Sequence, residues 1–332
     1  MKTSSQYGRA WMLLAGMLVL ALGTVPALAQ DEDDGGDLEA LLEDVGEQYA
    51  RGYLAPLVTG MGANQNSALF HTAAIPGTRF TLTFGLKAMG TKLDEAAKTF
   101  QTAERVTLDE RYGIDPLDPR YGEEGTLVMS GPSVFGSEDE TGTITAYYAG
   151  LPVYTAEGIE SLVDLDYVPL VMPQASVGGV MGLQATLRWL PDIDAGDVGK
   201  IKLWGFGLSA SANYWLPMLP VDVSVGYFKQ SLDVGEYVAT DAKSMYVAAS
   251  RSFALATVYG ALSKESSSMD VAYTYTYDDN GTPVEEQIDF SVDGVQDSRL
   301  TLGATLNLGL KLNAEAGFGD VTTYSAGLLF GF

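Results

Sequence analysis

From about Arg79 to the end of the chain, apolar and polar residues alternate with a period of two. Phe80, Leu82, Phe84, Leu86 and Ala88 share one face, with Thr81, Thr83 and Lys87 on the other. Trp204, Phe206, Leu208, Ala210, Ala212 and Tyr214 repeat the pattern against Gly205, Gly207, Ser209, Ser211 and Asn213. Val221, Val223, Val225 and Tyr227 form another row, as do Val271, Tyr273, Tyr275 and Tyr277, and Leu300, Leu302, Ala304, Leu306 and Leu308. Alternation of this kind predicts β-strands with one apolar face. A soluble sandwich gives the same signal, so the opposite face decides. Here it is small and polar, built from Gly, Ser, Thr and Asn. Strands of about ten residues with aromatics near their ends match the lipid-out, lumen-in pattern of membrane barrels.

Turn signals divide this body. Pro217 and Pro220 break two strands, because proline cannot join a central ladder, and Asp279-Asn280-Gly281 is a hairpin turn. The expectation is an all-β, transmembrane antiparallel barrel of about 14 strands, alternatively 12. Lys264–Ser268 and Asp278–Glu286 read equally as one long bent strand or two. Asp94–Gly150 carries no clear pattern, and Lys92–Phe100 reads as a short helical lid. The final strand is the most specific element. Tyr324, Ala326, Leu328, Phe330 and Phe332 occupy every second position up to the last residue. This row resembles the C-terminal signal by which outer-membrane barrels are recognised for assembly, which implies the barrel-assembly machinery and outer-membrane lipid as partners. With a last strand ending in the periplasm, Gly319–Val321 becomes an outer loop and Asn307–Leu310 a periplasmic turn.

The N-terminus adds the route. Lys2 and Arg9 precede an apolar run, Trp11–Leu22, that is too short to span a bilayer. Ala27 and Ala29 complete a small-x-small cleavage pattern, so residues 1–29 read as a signal peptide with a mature start at Gln30. Residues 30–78 then form an acidic tail, a short helix and a plug, and 79–332 the barrel. Asp37 caps the expected helix, with Leu38, Leu41, Leu42, Val45 and Tyr49 at helical spacing.

Composition removes whole classes of function. The chain has no cysteine, so disulfides, thiol catalysis and thiolate metal sites are excluded. A net charge of −24 with no basic stripe argues against nucleic acid. No metal-ligand spacing or cofactor motif is visible, and no enzyme is expected. Ser67 and His71, the sole histidine, lack anything that would position an oxyanion hole.

The stretch Gly60–Ala73, just ahead of the first strand, carries the one hint of activity. A helix, a Gly-rich turn and an Asn-x-x-x-(aromatic)-x-x-Ala step resemble the long-chain fatty-acid transporters of the outer membrane. The chain is similar as well to an uncharacterised family of exported barrels with an aromatic-His-Thr-Ala step. His71-Thr72 stands where the transporters have Asn-Pro. The resemblance implies a hatch folded into the barrel, with apolar ligands leaving sideways through the wall. It points to Asn64, Asn66, Ser67, Phe70 and His71 as the gate and to a small hydrophobic solute such as a fatty acid, moving passively. The alternatives are a structural or interaction barrel without transport and a general porin.

Overall fold

The computed structural model describes residues 46–331, apart from 138, 162, 195–199, 236–237 and 280–281. Helix α1 (Gly46–Gln65) leads by an irregular stretch to β1 (Thr81–Lys92). Next, β2 (Thr99–Thr107), β3 (Glu124–Pro132), β4 (Thr141–Tyr148) and β5 (Leu151–Glu160) form a separate four-stranded sheet. Strands β6 (Tyr167–Val180), β7 (Leu183–Asp194) and β8 (Lys200–Ser211) follow, then the one-turn helix α2 (Ala212–Trp215). The chain continues through β9 (Asp222–Val234), β10 (Val238–Phe253), β11 (Ala256–Asp279) and β12 (Thr282–Asp293). It finishes with β13 (Ser298–Asn307), β14 (Lys311–Phe318) and β15 (Thr322–Gly331).

Ten strands, β1, β6–β11 and β13–β15, close into an antiparallel barrel. β10 pairs β11 from Val238 to Phe253, and β1 pairs β15 from Thr83 to Thr91. β12 stays outside the ring, paired with the far half of β11 and packed against α1 through Phe290 and Val292. The barrel is therefore smaller than the expected 14 or 12 strands, for two physical reasons. The unpatterned stretch after Asp94 lies off the wall, in the inserted sheet. And β11 is a single strand of 24 residues that runs through Lys264–Ser268 without a break. The expected helical lid is only a single 3-10 turn, Glu95–Ala97, before β2 begins.

Alternation in burial sorts the faces. On β8, Trp204, Phe206 and Leu208 are exposed, while Gly205, Gly207 and Ser209 between them are buried. Leu187 and Trp189 on β7, Met245 and Val247 on β10, and Leu328 and Phe330 on β15 are exposed in the same way. A continuous ring of exposed large apolar side chains, with small and polar groups inside, inverts the soluble arrangement and fits lipid.

The inward face changes character along the axis. Near the end that carries the insertion it is apolar: Val168, Leu170, Met172, Ile201 and Leu203 are buried there. These side chains pack with Tyr49, Tyr53, Leu54 and Leu57 of α1, whose other side meets Leu127, Met129 and Ile159 of the inserted sheet. Each such large side chain withdrawn from water contributes about 1.5–3 kcal/mol. The insertion, α1 and the rim thus form one core capping that mouth. Val271 belongs to this inward set and does not face lipid as its alternation suggested, while the side chains of Tyr273, Tyr275 and Tyr277 lie outside the described residues.

The expected helix over Asp37–Tyr49 begins outside the described residues. The described one continues to Gln65, through the stretch that read as a glycine turn. Its glycines serve close approach instead: a Cβ at Gly52, Gly60 or Gly62 would overlap Phe100, Val168 or Ser267.

Candidate functional site in the barrel lumen

Past Gln65 the chain leaves the helix and runs down the lumen to β1. Ala68 takes a left-handed φ of 57°, which turns the segment away from the helix axis. The end of the helix sits at the capped mouth, where the Asn64 amide donates to the Val168 carbonyl at 2.6 Å. At the far end, the Gly77 carbonyl accepts from the Met181 N–H in the β6–β7 turn, at 2.9 Å. Residues 64–77 therefore run along the lumen from one end to the other.

Polar side chains of the wall grip this plug, mostly by its backbone. Arg188, fully buried, donates to the carbonyls of Gln65 at 2.9 Å and Ser67 at 2.7 Å, and to the Gln174 side chain at 2.9 Å. Gln230 donates to the same Gln65 carbonyl. Glu315 accepts from the Ala68 N–H at 2.6 Å and from the Tyr259 hydroxyl at 2.7 Å. Asn313 donates to that hydroxyl and accepts from Lys87. Nearer the cap, Arg299 bridges the Ala63 carbonyl at 2.8 Å and Glu265 at 2.9 Å. Irregular backbone has no ladder to satisfy its polar groups, so buried partners must come from the wall.

The five residues expected to form the gate, Asn64, Asn66, Ser67, Phe70 and His71, all lie in this plug. Asn64 also accepts from Thr91 at 2.8 Å, Asn66 donates to the Ser266 carbonyl, and Ser67 donates to the Asn64 carbonyl. Phe70 sits between the rings of Tyr246 and Tyr259, at centroid distances of 4.7 and 5.5 Å. With Leu69 and Ala73 it forms a small apolar cluster against Phe228, Ala248 and Ala261. The His71 carbonyl accepts from Thr305 at 2.7 Å, and its ring Nε2 lies 3.4 Å from the Lys311 ammonium. Burial, then Lys87 and Lys311, push the imidazole pKa down to about 3. The ring is thus neutral and able to accept from Lys311. Ser67 and His71 do not share a helix face, because the helix ends before them.

Backbone pairing in the wall lapses between β6 and β7. β6 pairs with β7 from Gln174 to Val180, but β6 residues 167–173 have no β7 partner among the described residues. Pro169 and Pro173 stand in this unpaired stretch, and proline has no N–H to offer. Leu190 to Ile193 on β7 carries a register shift beside it. At the foot of this seam the lipid-facing surface holds a recess of about 400 Å³. Phe84, Leu86, Leu187, Trp189, Leu328 and Phe330 line it, with Gly85 and the stretch Pro173–Ala175 along the β1 and β6 backbones. Gln174 otherwise faces the lumen, where it is buried and donates to the Leu69 carbonyl of the plug at 3.4 Å. Residue 174 therefore borders the recess on one side of the wall, while its side chain points inward to the plug.

Residues 7–332 match the profile of a family of unknown function, DUF6588. The chain belongs to that family. No curated protein matches the DUF6588 chain. Among solved structures it is similar to OmpT, an outer membrane protein of Vibrio cholerae, at 9% identity and a TM-score of 0.24, over 76% of this chain and 99% of that one. OmpF of Salmonella typhi, in complex with daunomycin, matches at 9% identity and a TM-score of 0.19, over 77% and 98%. A monoaromatic hydrocarbon channel, CymD, matches at 10% identity and a TM-score of 0.22, over 77% and 88%. Scores of this size do not place the DUF6588 chain in any of those families, nor in the fatty-acid transporters.

The residues that hold the DUF6588 plug, Lys87, Arg188, Gln230, Glu265, Arg299, Asn313 and Glu315, were not singled out from the sequence. Their signal was present: each is a long polar or charged residue on the face that is otherwise Gly, Ser and Thr. In the last strand, Tyr324, Leu328 and Phe330 face outward with Ala326, and Phe330 stacks on Phe84 of β1 at 5.8 Å. Phe332, Ala27 and Ala29 lie outside the described residues. Among the described residues no cluster of acidic and histidine side chains is placed to hold a metal ion.

Proposed function

We propose that this chain is an outer-membrane barrel that passes small apolar solutes, such as fatty acids, down their gradient. The solutes move between the lipid-facing recess and the lumen beside the plug. The observation that carries this reading is the recess at the β6–β7 seam, bordered by Gln174, whose side chain on the lumen face is a plug ligand. A recess of about 400 Å³ with apolar walls is the size and chemistry of a small-ligand site. Withdrawal of Gln174 from Leu69 would join recess and lumen, with Phe70, His71 and Asn64 to Ser67 forming the movable side. No energy-coupling group is needed for such flux. The outward Tyr324, Ala326, Leu328 and Phe330 are read as the row presented to the barrel-assembly machinery.

An open diffusion pore does not fit a lumen occupied by residues 64–77. A purely structural barrel has one observation in its favour, the density of plug hydrogen bonds. Uptake of a labelled long-chain acid into proteoliposomes separates the readings. Ala175, which faces outward in the recess, tolerates a larger side chain there without touching the plug. Transport predicts uptake above protein-free liposomes and a severalfold loss in Ala175→Trp at an unchanged unfolding midpoint. Uptake equal to protein-free liposomes favours the structural barrel.

A further inference from the structure

The exposed apolar belt ends in an ordered way on four adjoining strands. Its last large apolar residues toward the capped mouth are Trp204 on β8, Tyr227 on β9, Met245 on β10 and Leu262 on β11, all 44% exposed or more. Two residues further along each strand, on the same outward face, stands a lysine: Lys202, Lys229, Lys243 and Lys264. Acidic residues come only beyond them, Asp233 on β9, Asp241 on β10 and Asp270 on β11. The order is apolar, then cationic, then anionic, repeated across neighbouring strands of a chain whose net charge is −24.

Local pairing accounts for these lysines only in part, although Lys202 stands across from Asp233 in the β8–β9 register. Lys229 and Lys243 are direct cross-strand partners, an arrangement that is unfavourable unless an anion lies between them. Asp241 reaches Lys229 only at 3.6 Å, and Lys264 meets Asp297. Lys202 and Lys243 have no ion-pair partner among the described residues. An ammonium offers three donors, so even the paired lysines keep capacity for a further acceptor. The row follows the edge of the lipid-facing belt, the depth at which a bilayer places its phosphates, and the long lysine stems lie along apolar surface with their charge at the interface.

We propose that Lys202, Lys229, Lys243 and Lys264 form a binding site for the phosphate groups of anionic lipid in the leaflet at the capped end. This rests on the barrel lying in a membrane and not on any solute passing through it. The site would fix the depth of the barrel and carry its lipid selectivity.

The test uses the full chain in neutral detergent, with the thermal unfolding midpoint followed while lipid is added. The probes are phosphatidylglycerol, zwitterionic phosphatidylcholine and inorganic phosphate. The expected result is a rise with phosphatidylglycerol that exceeds the rise with phosphatidylcholine and shrinks between about 50 and 500 mM salt. The apparent affinity for phosphatidylglycerol should fall roughly fivefold for each lysine replaced by glutamine. A fourfold Lys→Gln variant should keep its response to phosphatidylcholine, and a fourfold Lys→Arg variant should keep both. If the fourfold glutamine variant does not fold, Lys243→Gln alone carries the comparison. Equal responses to the two lipids, or an unchanged response in the glutamine variants, would overturn the proposal. A response to inorganic phosphate matching that to phosphatidylglycerol would overturn the lipid as its source.

Discussion

Arg188 on the barrel wall donates to the Ser67 carbonyl of the plug at 2.7 Å, with no water-exposed surface of its own. The same guanidinium reaches Gln65 and Gln174, so one side chain ties plug, wall and seam together. Arg188→Met should lower stability by about 2–4 kcal/mol, because it leaves the Ser67 carbonyl buried without this donor. Thermal unfolding and protease cleavage near residues 64–73 measure it. Cleavage no faster than in the parent would show that Arg188 does not hold the plug.

The buried pair of Glu265 and Arg299 should respond asymmetrically. Arg299→Leu alone strands a buried carboxylate and should cost about 3–5 kcal/mol. Glu265→Leu with Arg299→Leu should recover most of that loss, although the Ala63 carbonyl still lacks its donor. A double-mutant cycle in urea checks the sign of the coupling.

His71 sets a pH dependence. Its pKa in the folded state lies near 3, below its ordinary 6.5, so a released plug binds a proton that the seated plug does not. The stability contributed by the neutral, buried ring is complete above about pH 6.5 and is lost as pH falls towards 3. Acidification from pH 7.5 to 5 should therefore speed proteolysis of the plug. His71→Asn should flatten that part of the profile, and an identical profile in the variant would remove His71 as its source.

At Gly62 of α1, a methyl group would overlap Ser267 on β11. Gly62→Ala should cost about 1–3 kcal/mol as α1 is pushed off the wall. Ser267→Gly in the same chain should restore much of it, a compensation visible in unfolding midpoints. Similar losses with and without the second change would mean that α1 does not press on β11 there.

The wall was legible in the sequence because alternation is a local signal that tertiary packing cannot hide. Trp204–Ser211 and Leu300–Leu306 face lipid and lumen as their pattern indicates, and Tyr324–Phe330 does the same. The strand number was not legible. A strand such as β3, in the inserted sheet, carries the same residue types as a wall strand, and only pairing partners tell them apart. The plug's position was legible from residues 64–71, whereas its grip was not. Lys87 and Arg188 read as ordinary polar-face residues until the opposing backbone is in place. The helix through Gly60 and Gly62 was missed because glycine signals a turn locally, while here it admits Val168 and Ser267.

The pairing of β1 with β15, marked by Phe84 against Phe330, also constrains the order of assembly. The ring is sewn shut between its first and last strands, so it stays open until the final strand docks. The plug precedes β1 and cannot be threaded through a finished ring past the cap at one end and the β6–β7 turn at the other. It must already lie along the nascent wall, held by Arg188 and Gln230, while β13 to β15 are still arriving. The barrel is thus built around its occupant, and a chain that closes without it has no simple way to take it in afterwards.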